Sequence, residues 1–168
     1  IAEARAEFEK SALGCDYYAQ HGPEYLADEI IGSDASRSLV CYQPLGTVLA
    51  IMPWNFPFWQ VFRFAAPALV AGNTCLLKHA SNVPQCALAI QSLFTTAGFP
   101  DYVFSSLMLP TSRVAAVIED PRVHAVTLTG SVTASPQVAA KAGAQIKKTV
   151  LEQRGNYAFI VMEYAELD

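Results

Sequence analysis

From Ser36 onward, short apolar runs rich in β-branched residues alternate with stretches in which apolar side chains recur every three or four positions. That alternation is the pattern of parallel strands joined by crossover helices. The runs predict strands over 47–52, 74–78, 103–108, 124–128 and 149–152, and 158–162 suits a further one. The clearest helix spans 83–97, where Val83, Cys86, Ala87, Ile90, Leu93, Phe94 and Ala97 repeat at helical spacing. Ser81 or Asn82 is expected to cap it, Pro84 lies in its first turn and Gly98 ends it. A helix should also begin near Pro57, and 111–119 and 132–143 read as two more crossovers, although Pro136 intrudes on the second.

Upstream, residues 1–31 read as helical, with Asp, Glu and Tyr on the exposed face. "GSDASRS" is a turn-rich hinge leading to an extended segment at 39–42. The expected organisation is a helical lead-in over 1–35, a hinge and extended segment over 36–45, and an α/β, doubly wound parallel sheet over 46–168. Such sheets bind ligands at the carboxyl ends of their strands.

Composition narrows the choice of partner. The 168 residues are 52% hydrophobic and 15% charged, enough apolar mass for a buried core. A net charge of -4 supplies no basic stripe for phosphates, which argues against nucleic acid. The longest uncharged stretch, 39–62, carries Gln43, Pro44, Gly46, Pro53, Asn55, Pro57 and Gln60, so it does not read as a membrane span. Cysteines at 15, 41, 75 and 86 lack CxxC or zinc-ligand spacing and read as packing thiols of a reduced, cytoplasmic protein; no metal site is expected. Position 1 is Ile, the chain opens in helical register without the leader of a secreted protein, and "YAELD" has no cap or tail. A longer protein continuing beyond Asp168 is therefore expected.

With these strands in place, Asn55, Lys78, the "LTGS" segment and Glu152 all leave one edge of one sheet. Each has a plain alternative. Asn55, in "PWNFP", is either an N-cap or turn residue, or an amide donor for a developing oxyanion, held by prolines and by an aromatic wall that includes Phe56. Arg63 is the only charged residue between Cys41 and Leu77. It either snorkels to solvent or shares a helix face with Trp59, beside Gln60, as a carboxylate clamp. Lys78 is a surface lysine or reaches a cofactor's hydroxyls or phosphate. Gly130 and Ser131 open a helix whose amides could cradle a pyrophosphate, though a GS pair is weak evidence and is not GxGxxG. Glu152 is an idle strand-end acid or a general base.

Taken in order, "GTVLAIMPWNFPFWQVFRFAAPALVAGNTCLLKHASN", "AGFPDYVF", "VTLTGS" and "TVLEQRG" resemble the aldehyde dehydrogenase superfamily from about Gly46 to Asp168. The "PWNFPFWQ…AGN" run and the "KHAS" variant are most similar to its succinate-semialdehyde dehydrogenases. The resemblance implies a Rossmann-like NAD(P)-binding fold, a small aldehyde substrate and a homo-oligomer built with a projecting hairpin. It also implies a reaction in which a cysteine thiolate attacks the aldehyde, hydride passes to NAD or NADP, and water hydrolyses the thioester.

Residue by residue, Asn55 matches the family's oxyanion amide and Glu152 its base for the deacylating water. Ile51, Met52, Pro53 and Trp54 match the loop against the cofactor, Lys78 the lysine on the adenosine ribose, and Gly130 and Ser131 its GS pair. Ser81 stands where many NAD-specific members carry glutamate, which leaves room for the 2′-phosphate of NADP. Arg63 matches the arginine that binds the substrate carboxylate, with Phe56 and Trp59 beside the substrate path. The hairpin would take one strand from 37–42, its partner strand lying beyond this chain. Departures are Gln153 and Arg154 in "EQRG" for "ELGG", and Ser135 with Pro136 in place of the second glycine of "GSxxxG". The nucleophilic cysteine of the family lies downstream of its glutamate, and no cysteine follows Cys86 here. Two readings stand: the cofactor-binding segment of an aldehyde dehydrogenase that would be inactive alone, or a diverged, non-catalytic homologue that binds nucleotide weakly or acts through subunit association.

Overall fold

The computed structural model describes residues 1–153 and 161–163. Helix α1 (Ala2–Tyr25) leads into a two-stranded antiparallel ribbon, β1 (Glu29–Ile30) with β2 (Leu39–Val40). Residues 39–40 thus have one partner within the chain, β1, which begins four residues after α1 ends. "GSDASRS" makes the ribbon's connection, in which Ser33 and Ser38 share a side-chain hydrogen bond of 2.6 Å. Short β1 was hidden in the sequence because "DEIIG" is too brief to show a period.

Five strands make one parallel sheet: β3 (Thr47–Met52), β4 (Thr74–His79), β5 (Phe104–Ser106), β6 (Val123–Gly130) and β7 (Lys148–Gln153). Their spatial order is β5-β4-β3-β6-β7, so the winding direction reverses between β3 and β6. Helices α2 (Trp59–Val70) and α3 (Pro84–Thr96) cover one face; α4 (Val114–Glu119), preceded by a 3-10 turn, and α5 (Ser135–Ala144) cover the other. The period of two in β3 explains this. Ala50 and Met52 join Cys75, Leu77, Val61 and Ile90 on the first face, while Leu49 and Ile51 meet Val126, Leu128, Ile118 and Val138 on the second. The α/β doubly wound reading therefore holds.

Boundaries moved for local reasons. Strand β5 is shorter than expected because it lies at the sheet's edge and Tyr102 before it adopts φ 66°. Helix α3 is capped by neither Ser81 nor Asn82: Val83 occupies the N-cap position without a side-chain bond, and Pro84 supplies the preset first turn. Helix α5 starts at Ser135, not Val132, which puts Pro136 in the first turn, where a missing N–H costs nothing. Residues 158–160 of the suggested last strand, like Arg154, lie outside the described residues, and Val161 and Met162 belong to neither helix nor strand.

The lead-in helix is docked against α2 by specific contacts. The Phe8 and Phe58 rings lie 4.3 Å apart between centroids, and Lys10 Nζ sits 4.3 Å from the Trp59 ring. Gly22 is required there: a Cβ on it would lie 2.2 Å from Val70 Cγ1, and Pro23 follows it inside the helix. Near Gly14, by contrast, an added Cβ would meet the edge of Trp59 at 3.4 Å, an ordinary contact. Gly22→Ala should therefore lower stability by about 1–3 kcal/mol through overpacking. Gly14→Ala should be neutral or gain up to about 1 kcal/mol from helix propensity; the urea midpoints of the two variants check both.

Candidate active site

Parallel pairing aligns the carboxyl ends of the strands. Ile51 lies opposite Lys78 on one side and Leu128 on the other, Met52 is opposite His79, and Thr129 is opposite Glu152. At the reversal of winding, Ile51, Met52, Pro53, Trp54, Lys78, Ser81, Gly130 and Ser131 line one crevice of about 590 Å³. Every residue expected to touch a cofactor is on that surface. Sequence reasoning missed Ala80, Asn82, Thr111, Leu128, Thr129 and Ala134, which complete it. An adjoining cleft of about 570 Å³ runs between α4 and α5, sharing Ile51, Lys78, Thr111, Leu128 and Ala134 and adding Ala115, Val138 and Ala140. Polar crevice and apolar slot are thus continuous.

Lys78 is buried, and its ammonium donates to the carbonyl of His79 at 2.7 Å. The surface-lysine alternative is thereby excluded. Burial lowers its pKa below the ordinary lysine value. Ser131 is partly committed to the fold: its hydroxyl accepts from Ala134 N at 3.3 Å, and its carbonyl accepts from the Ser135 hydroxyl at 3.2 Å. Ser135, at 1% exposure, is accommodated with its hydroxyl satisfied.

Asn55 is not an N-cap. Phe58 holds that position in α2, and the first amides are capped from outside the segment: Glu7 Oε1 of α1 accepts from Phe58 N at 2.8 Å and Trp59 N at 2.9 Å. Asn55 Oδ1 is buried without a hydrogen-bond partner among the described residues. The residue as a whole is half-buried, and Oδ1 leaves an acceptor to spare just after the crevice-lining Trp54. Phe56 beside it is exposed.

On the α2 face, Arg63 and Glu152 form an ion pair. The guanidinium also donates to Gln60 Oε1 at 3.0 Å and Thr129 Oγ1 at 3.3 Å. The acid that was not apparent near Arg63 in the sequence thus comes from β7, 89 residues later. Arg63, Thr129 and Glu152 line a separate hollow of about 380 Å³ that shares Met52 and Thr129 with the first crevice. Trp59 diverges from Arg63: its ring lies against Lys10 and Gly14 of α1. The expected shared face is realised by Gln60 and Arg63.

None of the four cysteines is activated. Burial pushes the Cys75 thiol up to about 12 and raises Cys15 and Cys86; a hydrogen bond to the Asp28 carboxylate raises exposed Cys41. Only Cys75 is fully buried, so the packing-thiol expectation holds for it and not for Cys41. Among the described residues no cluster of His, Cys, Asp and Glu is arranged to hold a metal, and no helix is long and apolar enough to cross a membrane.

A sequence profile of the aldehyde dehydrogenase family matches residues 1–168. The chain belongs to the aldehyde dehydrogenase family. It is 58% identical over 168 residues to a probable NADP(+) succinate-semialdehyde dehydrogenase of Synechocystis, covering 100% of this chain and 37% of that protein. Against the NADP(+) succinate-semialdehyde dehydrogenase of Mycobacterium avium the identity is 54% over 171 residues, covering 100% of this chain and 36% of the relative. Among solved structures, succinic semialdehyde dehydrogenase from Streptococcus pyogenes in complex with NADP+ superposes with a TM-score of 0.91 at 37% identity, over 98% of this chain and 36% of that one. The chain thus spans little more than a third of the length of these family members.

The buried Lys78 makes a prediction about pH. Its folded pKa is depressed, so between that value and the ordinary 10.5 the unfolded chain binds more protons and stability rises with pH. Relative to Lys78→Met, the wild-type protein should gain stability as pH rises through this window, as urea titrations at a series of pH values would show; a constant difference would contradict the burial.

Proposed function

We propose that this segment supplies the cofactor site and part of the catalytic site for NADP-dependent oxidation of succinate semialdehyde to the corresponding acid. The observation that carries the reading is the half-buried Asn55 side chain, its Oδ1 unpartnered among the described residues, which follows the crevice-lining Pro53 and Trp54 at the strand ends where Glu152 also lies. The relatives' names supply the substrate class and the cofactor. Residues 46–168 form the cofactor-binding unit in this proposal.

The crevice residues fit a dinucleotide. Lys78 offers a cation within a low-dielectric wall, and the α4–α5 slot suits an aromatic base. Gly130 ends β6 and Ser131 opens the turn that leads into the ten-residue helix α5, which corrects the expectation that this pair opens the helix itself. Small Ser81 and Asn82 leave space on the ribose side for a 2′-phosphate. When bound, the nicotinamide accepts the hydride. Before that, as the aldehyde carbon turns tetrahedral on thiolate addition, Asn55 donates its side-chain N–H to the oxygen that becomes negative, a stabilisation worth about 3–4 kcal/mol for a comparable donor. Glu152 takes a proton from the water that hydrolyses the acyl intermediate. With its four thiols raised in pKa, the segment is proposed to rely on a cysteine elsewhere in the whole protein.

Arg63 serves as the clamp for the substrate carboxylate. Its guanidinium accommodates a carboxylate in this structure, that of Glu152, and it is presented by a helix whose first turn adjoins Asn55. The non-catalytic reading drew on Gln153, Arg154, Ser135 and Pro136; Ser135 and Pro136 are accommodated at the start of α5, Gln153 ends β7, and Arg154 lies outside the described residues.

Two measurements test this. Trp54 lines the crevice, so NADP+ should quench its fluorescence saturably, and Trp54→Phe should abolish the signal; no saturation at millimolar NADP+ would defeat the cofactor assignment. In a chain completed by the remainder of the family's length, Arg63→Leu should raise KM for succinate semialdehyde about 10- to 100-fold, the loss of a charged hydrogen bond, and barely alter KM for an uncharged aldehyde. Equal effects on both substrates would remove the clamp.

A further inference from the structure

Between the crevice and α2, five residues, Pro53 to Pro57, carry Asn55 out of the sheet and back. Among the described residues Asn55 Oδ1 has no partner to fix this turn; the ties come from two distant residues, His79 and Glu7. His79 is 5% exposed at the end of β4. Its Nδ1 accepts from Ala80 N at 2.9 Å, which makes Nε2 the protonated nitrogen, and Nε2–H donates to the carbonyl of Pro57 at 2.9 Å. On the far side of the same peptide unit, Phe58 N donates to Glu7 Oε1 at 2.8 Å, and that oxygen accepts Trp59 N as well. The Pro57–Phe58 peptide is therefore gripped at both ends, its C=O by a strand-end imidazole and its N–H by a carboxylate from the lead-in helix. The other end of the loop is tied through Met52, whose carbonyl accepts Ala80 N at 3.0 Å.

We propose that His79 and Glu7 are positioning residues for Asn55, acting as one clamp on the Pro57–Phe58 peptide. The catalytic part of this inference rests on the oxyanion role proposed above for the Asn55 amide. The physical reason is that an oxyanion donor contributes only when its direction is set before reaction, and a shift of about 1 Å can cost about 100-fold in rate. Prolines restrict φ at two loop positions but leave the loop free to pivot as a body about its ends. Hydrogen bonds to both faces of one peptide remove that pivot. The lead-in helix thereby acquires a part in the chemistry, through Glu7, that its distance in sequence conceals.

The test combines amide hydrogen exchange with kinetics on the completed enzyme, for His79→Ala, Glu7→Ala, the double variant, and the conservative His79→Gln and Glu7→Gln. Exchange at Trp54 to Trp59 should rise in each alanine variant while β4 and β6 stay protected. The kcat should fall about 10- to 100-fold with KM for NADP+ within about twofold. Because both residues hold one peptide, the double variant should lose far less than the product of the single losses. Glutamine at 79 restores an N–H near the Pro57 carbonyl and at 7 restores an acceptor, so both should recover most of kcat. Unchanged exchange in the loop, or multiplicative losses in the double variant, would overturn the clamp. Asn55→Ala, measured alongside, separates the two ideas: if its kcat equals wild type while the loop exchange rises as described, the oxyanion reading fails and the clamp stands as a purely conformational one. Should the alanine variants not fold, the glutamine pair carries the test, with loop exchange left at wild-type level supporting the clamp and raised exchange overturning it.

Discussion

Strand β3 is hydrogen-bonded to β4 on one side and β6 on the other, parallel to both, and the arrangement of the molecule follows from that double pairing. A parallel neighbour on each side requires the chain to cross over a face of the sheet each time, and the two crossovers leave in opposite directions. Helices α2 and α3 consequently cover one face and α4 and α5 the other, and a crevice opens where they part. Had β3 been an edge strand, Trp54 and Gly130 would not border the same space.

Charge is used sparingly at the rim, and where it occurs it is paired or partly desolvated. Lys78 gives up solvent for the carbonyl of His79, at the cost of a lowered pKa, and Arg63 meets Glu152. The Arg63–Glu152 pair is half-exposed, so its contribution to stability is small, about 0–1 kcal/mol. Its importance is positional: the paired guanidinium and carboxylate both line the hollow that adjoins the larger crevice through Met52 and Thr129. A second carboxylate at Arg63 would compete with Glu152 for the same guanidinium donors.

The lead-in helix contributes more than a connection. Apolar packing of Phe8 on Phe58 and the close approach at Gly22 bring Glu7 to the first amides of α2, which has no acid of its own in the first turn. A helix N-terminus lacking a local cap is a visible gap in "FPFWQVF", and it is the one clue that a distant acid would be needed.

Much of this was legible from residue order alone. The apolar, β-branched run over 47–52, the helical period of 83–97 with Pro84 in its first turn, and the run of small and β-branched residues in "VTLTGS" specify strands and helices through local sterics and periodicity, which need no knowledge of neighbours. The family resemblance then assigned the crevice residues, and parallel register brought every one of them to a common surface. What only tertiary structure decided are the contacts between residues far apart in the chain: β1 against β2, Arg63 with Glu152, Glu7 on α2 and His79 on Pro57. A hydrogen bond between distant groups depends on how whole elements pack, and packing direction is a property of the assembled layers that no local pattern encodes. For that reason the chain's sequence determined which side chains are available for chemistry, and the fold decided which of them hold the others in place.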